Sequence, residues 1–428
     1  MNIFGDYLTK RSESKFRIDV TGNSASIFVV IPCYNEPDVL TTLNSLAACT
    51  PPGLEVVVLL VVNSSEDSTP EVFSQNLLTI SEVEEWKRAN TSFLHVYTIN
   101  APRLPGKYAG VGWARKIGMD EAVRQIYLSD LKDGIIVSFD ADSTVSPNYL
   151  LEIERAFRDD PDCNFFTINF EHPLDLSPIP GISEGILRYE LHMRYYRNAM
   201  KWCGYPHSIH TVGSSFAVKA SSYVKQGGMN RRKAGEDFYF LHKLVFLGKY
   251  GNISSSTVYP SIRQSDRVPF GTGAAMKKWS EGNSELMTTF NFEAFVPLKQ
   301  FFSEPSNFMG MDETKINIYF HDFPIALKQY IEESGTIQTI MELKGNCANE
   351  FTFKKRFFHS INAFWILKYL NFAHKEFYRR DDLYSQARRL LKEMGIKVDI
   401  KTSARQLLDY YRSLDKENLI GNIDLIKK

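Results

Sequence analysis

Two aspartates one residue apart, Asp140 and Asp142, directly follow an apolar run in IIVSFDADS, Ile135 to Ser143. A buried strand ending in two carboxylates presents hard oxygen ligands, the type that suits a hard cation such as Mg²⁺. Such an ion commonly takes one or two carboxylates and completes its shell with water and the phosphates of a nucleotide. Both side chains reach one region only if the chain leaves strand geometry between them. The competing role is local: the pair stabilises the turn with Ser143 and Pro147, or caps the next helix. A second acidic pair, Glu236 and Asp237 in AGEDFYFLHKL, opens a segment of helical periodicity. In a first helical turn the macrodipole favours the ionised form, so a low pKa is expected for Asp237. Acidic residues also simply favour helix starts, which is the plainer alternative.

The elements that position these residues are read from hydrophobic pattern. SIFVVIP (26–32), LEVVVLLVV (54–62), FLHVYTI (93–99) and GIIVSFD (134–140) are continuous apolar runs, the pattern of parallel strands covered on both faces. Helical segments lie between them, at 37–49, 71–90 and 108–130, and another follows at 148–159. This βαβ rhythm predicts a doubly wound α/β half-domain, whose ligands bind outside the carboxyl ends of the strands. The stretch 183–202 carries Ile186, Tyr189, Met193, Tyr196 and Met200 at helical spacing, a stripe expected to face a core. Past about residue 295 strand patterns give way to long amphipathic segments. Two domains are expected, 1–295 and a mainly α-helical module at 296–428.

The bulk properties exclude several classes. Lysine plus arginine number 50 and aspartate plus glutamate 50, with 43% hydrophobic residues, so no global signature of nucleic-acid binding is present. The charged opening MNIFGDYLTKRSESKF is unlike an export signal, and the most apolar run, Leu54 to Asn63, is too short to span a bilayer. Cys33, Cys49, Cys163, Cys203 and Cys347 are odd in number and lack metal-ligand spacing. Reduced thiols in a cytoplasmic protein are therefore expected. Basic residues interleave with aromatics over 351–380, a composition compatible with peripheral contact at the inner face of a membrane or with a core-facing helix whose basic side is solvated.

Four motifs in order, across roughly residues 25–290, resemble the bacterial-type family 2 glycosyltransferases of the GT-A fold. VVIPCYNE (Val29–Glu36) is similar to that family's opening strand and nucleotide-binding loop. GVGWARKIGMDEA (Gly110–Ala122) resembles its Ala-Arg-Asn-x-Gly helix start, with Lys116 where asparagine is commoner. Asp140–Asp142 matches its Asp-x-Asp, and Glu236–Asp237 its Glu-Asp pair.

The resemblance implies a Rossmann-like, doubly wound, mostly parallel sheet and transfer of a sugar from a nucleotide-sugar donor, UDP-linked by first expectation, to a hydroxyl acceptor. It implies inversion, since one in-line attack needs a single base and no covalent intermediate. The implied catalytic residues are Asp237, as general base, and Glu236. Asp142 and Asp140 would bind Mn²⁺ or Mg²⁺. Pro32, Tyr34, Glu36, Asn63, Lys107, Arg115, Asp140, Ala141 and Arg267 would contact the nucleotide sugar, with Arg267 on the loop RQSDRVPFGTG (Arg263–Gly273) closing on the diphosphate. Where the family carries an acidic run that reads uracil, this chain has VVNSSEDS, with Asn63 and Ser64, which opens the choice of base. The acceptor stays open between a polysaccharide or other carbohydrate, a lipid-linked molecule and a small molecule. Two other classes are weighed. A sugar-nucleotide pyrophosphorylase would need a glycine-rich loop where IPCYNEPD stands. A catalytically inactive nucleotide-sugar-binding protein on the same scaffold would bind without turnover.

Overall fold

The computed structural model describes residues 3–12, 15–18, 25–131, 133–175, 181–265 and 271–417. Helix α1 (Ile3–Lys10) precedes an alternation of β1 (Ile27–Cys33), α2 (Val39–Ala47), β2 (Val56–Ser65), α3 (Pro70–Ala89), β3 (Leu94–Leu104), α4 (Val111–Leu128) and β4 (Ile135–Ser138). Then come β5 (Thr144–Val145), α5 (Tyr149–Asp159), β6 (Phe165–Phe170), α6 (Ile182–Trp202), β7 (Phe216–Lys219), α7 (Ala220–Lys225), α8 (Glu236–Leu244) and β8 (Tyr250–Tyr259). The eight strands form one sheet in the order β3-β2-β1-β4-β7-β6-β8-β5.

Strands β1, β2 and β4 are buried along essentially their whole length, as β-branched runs covered on both faces must be. Their pairing is parallel, with Val29 beside both Val58 and Val137, so the three strands finish on the same side of the sheet. Strand β3 departs from the continuous run expected of it. It alternates buried and exposed positions because it is the sheet edge beyond β2. The second half of the sheet is mixed: β7 is antiparallel to β4 and β6, β6 runs parallel to β8, and β5 closes antiparallel on β8. Strands β6 and β7 have no counterpart in the sequence reading, being only six and four residues long among polar and glycine-rich flanks.

The chain divides into two compact units. The chain up to Ser183 and Thr211–Lys278 make the first, which holds the sheet, and Glu184–His210 and Trp279–Asp415 make the second. The second unit is helical, and its core is aromatic: the Phe301 ring lies 5.5 Å from Trp365, 5.6 Å from Phe357 and 5.6 Å from Phe320. It also contains a buried ionic cluster. Arg194, with no exposed side-chain surface, pairs with Glu190 at 2.9 Å and with Asp415 at 2.5 Å, and Arg412 meets Glu190 at 2.8 Å. Of the stripe read from the sequence, Ile186 and Met200 are buried as expected, Tyr189, Met193 and Tyr196 are half-buried, and Leu191, Arg194, Tyr195 and Asn198 also face inward.

Within 351–380 the aromatic residues Phe353, Phe357, Phe358, Trp365 and Tyr369 are buried, and Lys355, Arg356, Lys368, Lys375, Arg379 and Arg380 are exposed. That is a core-facing arrangement with a solvated basic side. No helix among the described residues is long and apolar enough to cross a membrane. The five cysteines are unpaired thiols, four of them buried.

Candidate active site

Where β1 ends, Asn35 adopts a left-handed φ of 47°, a conformation asparagine tolerates, and the chain turns so that Glu36 is fully buried. Helix α3 holds this turn from one side: Asn76 accepts from the Asn35 N–H at 3.0 Å and donates to the Asn63 carbonyl at 2.9 Å, tying together the tips of β1 and β2. Thr79, a turn further along α3, donates to the Glu36 carbonyl at 2.9 Å. Asn63 is buried, and Ser64 accepts from the Arg103 N–H at 3.2 Å.

Beyond β4 the chain folds into a turn in which the Ser143 N–H donates to the Asp140 carbonyl at 3.3 Å. The Thr42 hydroxyl of α2 lies 2.8 Å from the Ala141 carbonyl and 3.0 Å from that of Ser143, which fixes the turn against the sheet. Ala141 is buried, while the Asp140 and Asp142 side chains keep 34% and 26% of their surface, enough to meet a ligand.

Arg115, at the start of α4, joins the two acidic motifs. Its guanidinium donates to Asp140 through one terminal nitrogen and to Glu236 through the other. Both Arg115 and Glu236 are almost fully buried, with 4% and 2% of their side chains exposed. The arginine passes over Gly213, where any Cβ would strike the guanidinium, and Ser138 donates to the Gly213 carbonyl at 2.7 Å. A second arginine joins the other carboxylates: Arg263 grips Glu36 bidentately at 3.0 and 2.5 Å and lies 3.5 Å from Asp142. Side chains from five separate segments thus converge outside the carboxyl ends of β1 and β4, the position at which open α/β sheets bind ligands.

Asp237 is half-buried, and its carboxylate accepts from the Phe238 N–H at 2.7 Å. Its pKa is raised, contrary to the low value expected of a helix start. Burial is the largest cause and the charge of Asp140 adds to it, while Arg115 and the backbone N–H donors only partly oppose them.

Among the residues expected from the sequence, Glu36, Arg115, Asp140, Asp142, Glu236 and Asp237 share this region. Pro32 is buried in β1 and Tyr34 is half-buried at its end. Lys107 is exposed, its ammonium 5.1 Å from the Tyr108 ring centre, and among the described residues no ion pair joins it to the carboxylates. Arg267 lies outside the described residues. Thr42, Asn76, Gly213 and Arg263 were not anticipated. Arg263 stood in the same loop sequence as Arg267 and differed from it in nothing a sequence shows.

The described residues contain no group of three or more His, Cys, Asp or Glu able to enclose a metal. Two neighbouring carboxylates of partial exposure do fit an ion that takes its other ligands from water and phosphate.

Glycines set how closely α4 approaches α8. A Cβ at Gly110 would stand 2.8 Å from Lys233 Cα, and one at Gly112 would collide with the Arg232 carbonyl. Gly112→Ala should therefore destabilise by about 1–3 kcal/mol through overpacking, and a urea midpoint equal to that of the parent would show that the 230–233 loop moves aside freely.

No family model matches the chain, and no curated protein does. The chain is similar to several solved structures. S. aureus TarS 1-349 in complex with UDP is 14% identical, with 83% of this chain and 94% of that chain covered and a TM-score of 0.38. The same protein in complex with UDP-GlcNAc is 15% identical, covering 92% and 91% at a TM-score of 0.38. Mannosyltransferase PcManGT from Pyrobaculum calidifontis, in complex with GDP-Man and Mn²⁺, is 12% identical, covering 97% and 92% at a TM-score of 0.37. Likeness this slight bears on neither the activity nor the substrate of this chain.

Proposed function

We propose that the first unit is a nucleotide-sugar glycosyltransferase that transfers a sugar, with inversion, to a hydroxyl acceptor. The observation that supports it most is the single guanidinium of Arg115 shared by the Asp140 turn and the Glu236–Asp237 helix start. It sets donor-side carboxylates and a half-buried acid side by side at the strand ends, and in-line transfer requires both in one site.

In this reading Asp140 and Asp142 hold a divalent cation together with water and the donor's phosphates. When bound, the ion supplies Lewis-acid stabilisation of the departing diphosphate. Arg263 pairs with the phosphates on the same side. Glu36, Asn63 and the β1 turn face the nucleoside, and the base is left open by Asn63, which both donates and accepts. Asp237 takes the proton from the acceptor hydroxyl. A raised pKa makes it a stronger base than an ordinary carboxylate, provided the pH is high enough to ionise it. Glu236, committed to Arg115, positions that helix start rather than moving a proton.

The test is thermal stability in UDP, GDP, CDP and their sugars, each with and without Mn²⁺. A ligand at a hundred times its dissociation constant stabilises by about 2.7 kcal/mol. One nucleotide is expected to give a metal-dependent shift that Asp142→Asn abolishes. A shift with no nucleotide, or one unchanged in Asp142→Asn, removes the donor site proposed here.

A further inference from the structure

The residues just before Glu236 carry a run of positive charge, Arg231, Arg232 and Lys233, all exposed, in a chain whose formal charge is zero. Exposed basic side chains usually wave in solvent, and each loses rotamer entropy when it binds. These arginines are held instead. The Arg231 guanidinium lies 5.0 Å from the Trp113 ring centre and that of Arg232 lies 3.8 Å from Tyr239. Stacking fixes the plane of a guanidinium, and the N–H edge of Arg232 remains able to fork onto an oxyanion. The backbone is pinned as well: Gly110 and Gly112 of the α4 start pack on Lys233 and the Arg232 carbonyl, and the Arg232 N–H donates to Asn230 Oδ1 at 3.0 Å. Neither Arg232 nor Lys233 has a carboxylate partner among the described residues.

From this we propose that the acceptor is anionic, bearing phosphate or carboxylate groups that dock on Arg231, Arg232 and Lys233. The loop leads directly into Asp237, so an acceptor held there by its charge presents a hydroxyl to the base. Two arginines fixed on rings and one lysine, spread along three consecutive residues, suit a repeating charge better than a single one. The inference rests on the transferase reading, because it takes the Asp237 side of the site as the acceptor side.

The experiment is fluorescence anisotropy of the full chain with three labelled probes, a short inorganic polyphosphate, an oligoglutamate and a neutral oligoglucan, with and without UDP and Mn²⁺. Four forms are compared: the parent, Arg231→Gln/Arg232→Gln/Lys233→Gln, Arg231→Lys/Arg232→Lys, and a control that removes equal charge elsewhere, Lys354→Gln/Lys355→Gln/Arg356→Gln. A polyanion should bind the parent, weaken about tenfold for each arginine removed, and be unaffected in the control and by UDP. The Arg231→Lys/Arg232→Lys form, which keeps charge but loses the planar fork, should fall between. Whichever of the two polyanions binds more tightly names the anionic group. Equal loss in the control, displacement by UDP, or preference for the neutral probe overturns the proposal. Nucleotide stabilisation of the triple variant should equal that of the parent. If no nucleotide stabilises either form while polyanion binding maps to the loop, the transferase reading fails and the anion site stands alone.

Discussion

Asp237→Asn is expected to lower turnover by about 10²–10⁴-fold, the usual contribution of a positioned general base, while making the protein more stable at neutral pH. The two effects share a cause. Burial and the neighbouring Asp140 charge disfavour the ionised carboxylate, so the raised pKa records a charge the folded state would rather not carry. The sign follows from proton linkage: a carboxyl that binds its proton more tightly when folded contributes its full stability below the ordinary carboxylate pKa and loses it as pH rises through the raised value. Asparagine keeps the acceptor for the Phe238 N–H and carries no charge. Melting temperatures of parent and variant should therefore converge in acid and separate towards neutral pH, with the variant higher. A variant that melts lower at neutral pH would mean that attraction to Arg115 dominates and that the carboxylate is stabilised where it sits. The acid limb of the parent's pH–rate profile should also lie above that of an unperturbed aspartate, since the base works only when ionised. Nucleotide binding should be retained.

Arg115→Met is the second. It leaves Glu236 charged and almost wholly buried and strips Asp140 of its cation, and breaking a buried pair from one side typically costs about 3–5 kcal/mol. The loss should appear in urea unfolding of the protein without ligand, before any activity is considered. Adding Glu236→Gln should recover a large part of it, because the uncompensated charge is then gone. A double variant as unstable as the single one would show that the arginine acts through packing over Gly213 rather than through its charges. Both forms should lose nucleotide affinity, since Asp140 is no longer held in its turn.

The strands that carry the site were legible because their cause is local. Ile27–Cys33, Val56–Ser65 and Ile135–Ser138 are β-branched runs, and burial on both faces leaves no polar alternation to confuse them with helices. Strands β6 and β7 escaped because a four- to six-residue run is too short to hold a period. Part of the inward face of α6 escaped for a different reason, although Ile186 and Met200 of the expected stripe are buried. Arg194 and Glu190 are apolar in no scale, and only the arrival of Asp415 and Arg412 from more than two hundred residues away makes their burial tolerable. The boundary drawn near residue 295 follows composition, whereas the compact units exchange segments, with 184–210 joining 279–415.

Sequence by itself determined which elements form the parallel half of the sheet and which acidic residues stand at its strand tips, since strand, turn and motif are all set within a few residues of one another. Tertiary structure decided how those residues pair. That Arg115 spans Asp140 and Glu236, that Arg263 grips Glu36 beside Asp142, and that Asp237 binds its proton more tightly than a helix start would suggest all depend on distance and desolvation between segments up to 227 positions apart. Coulomb and hydration energies are functions of separation in space and of water excluded, and neither quantity is written along the chain.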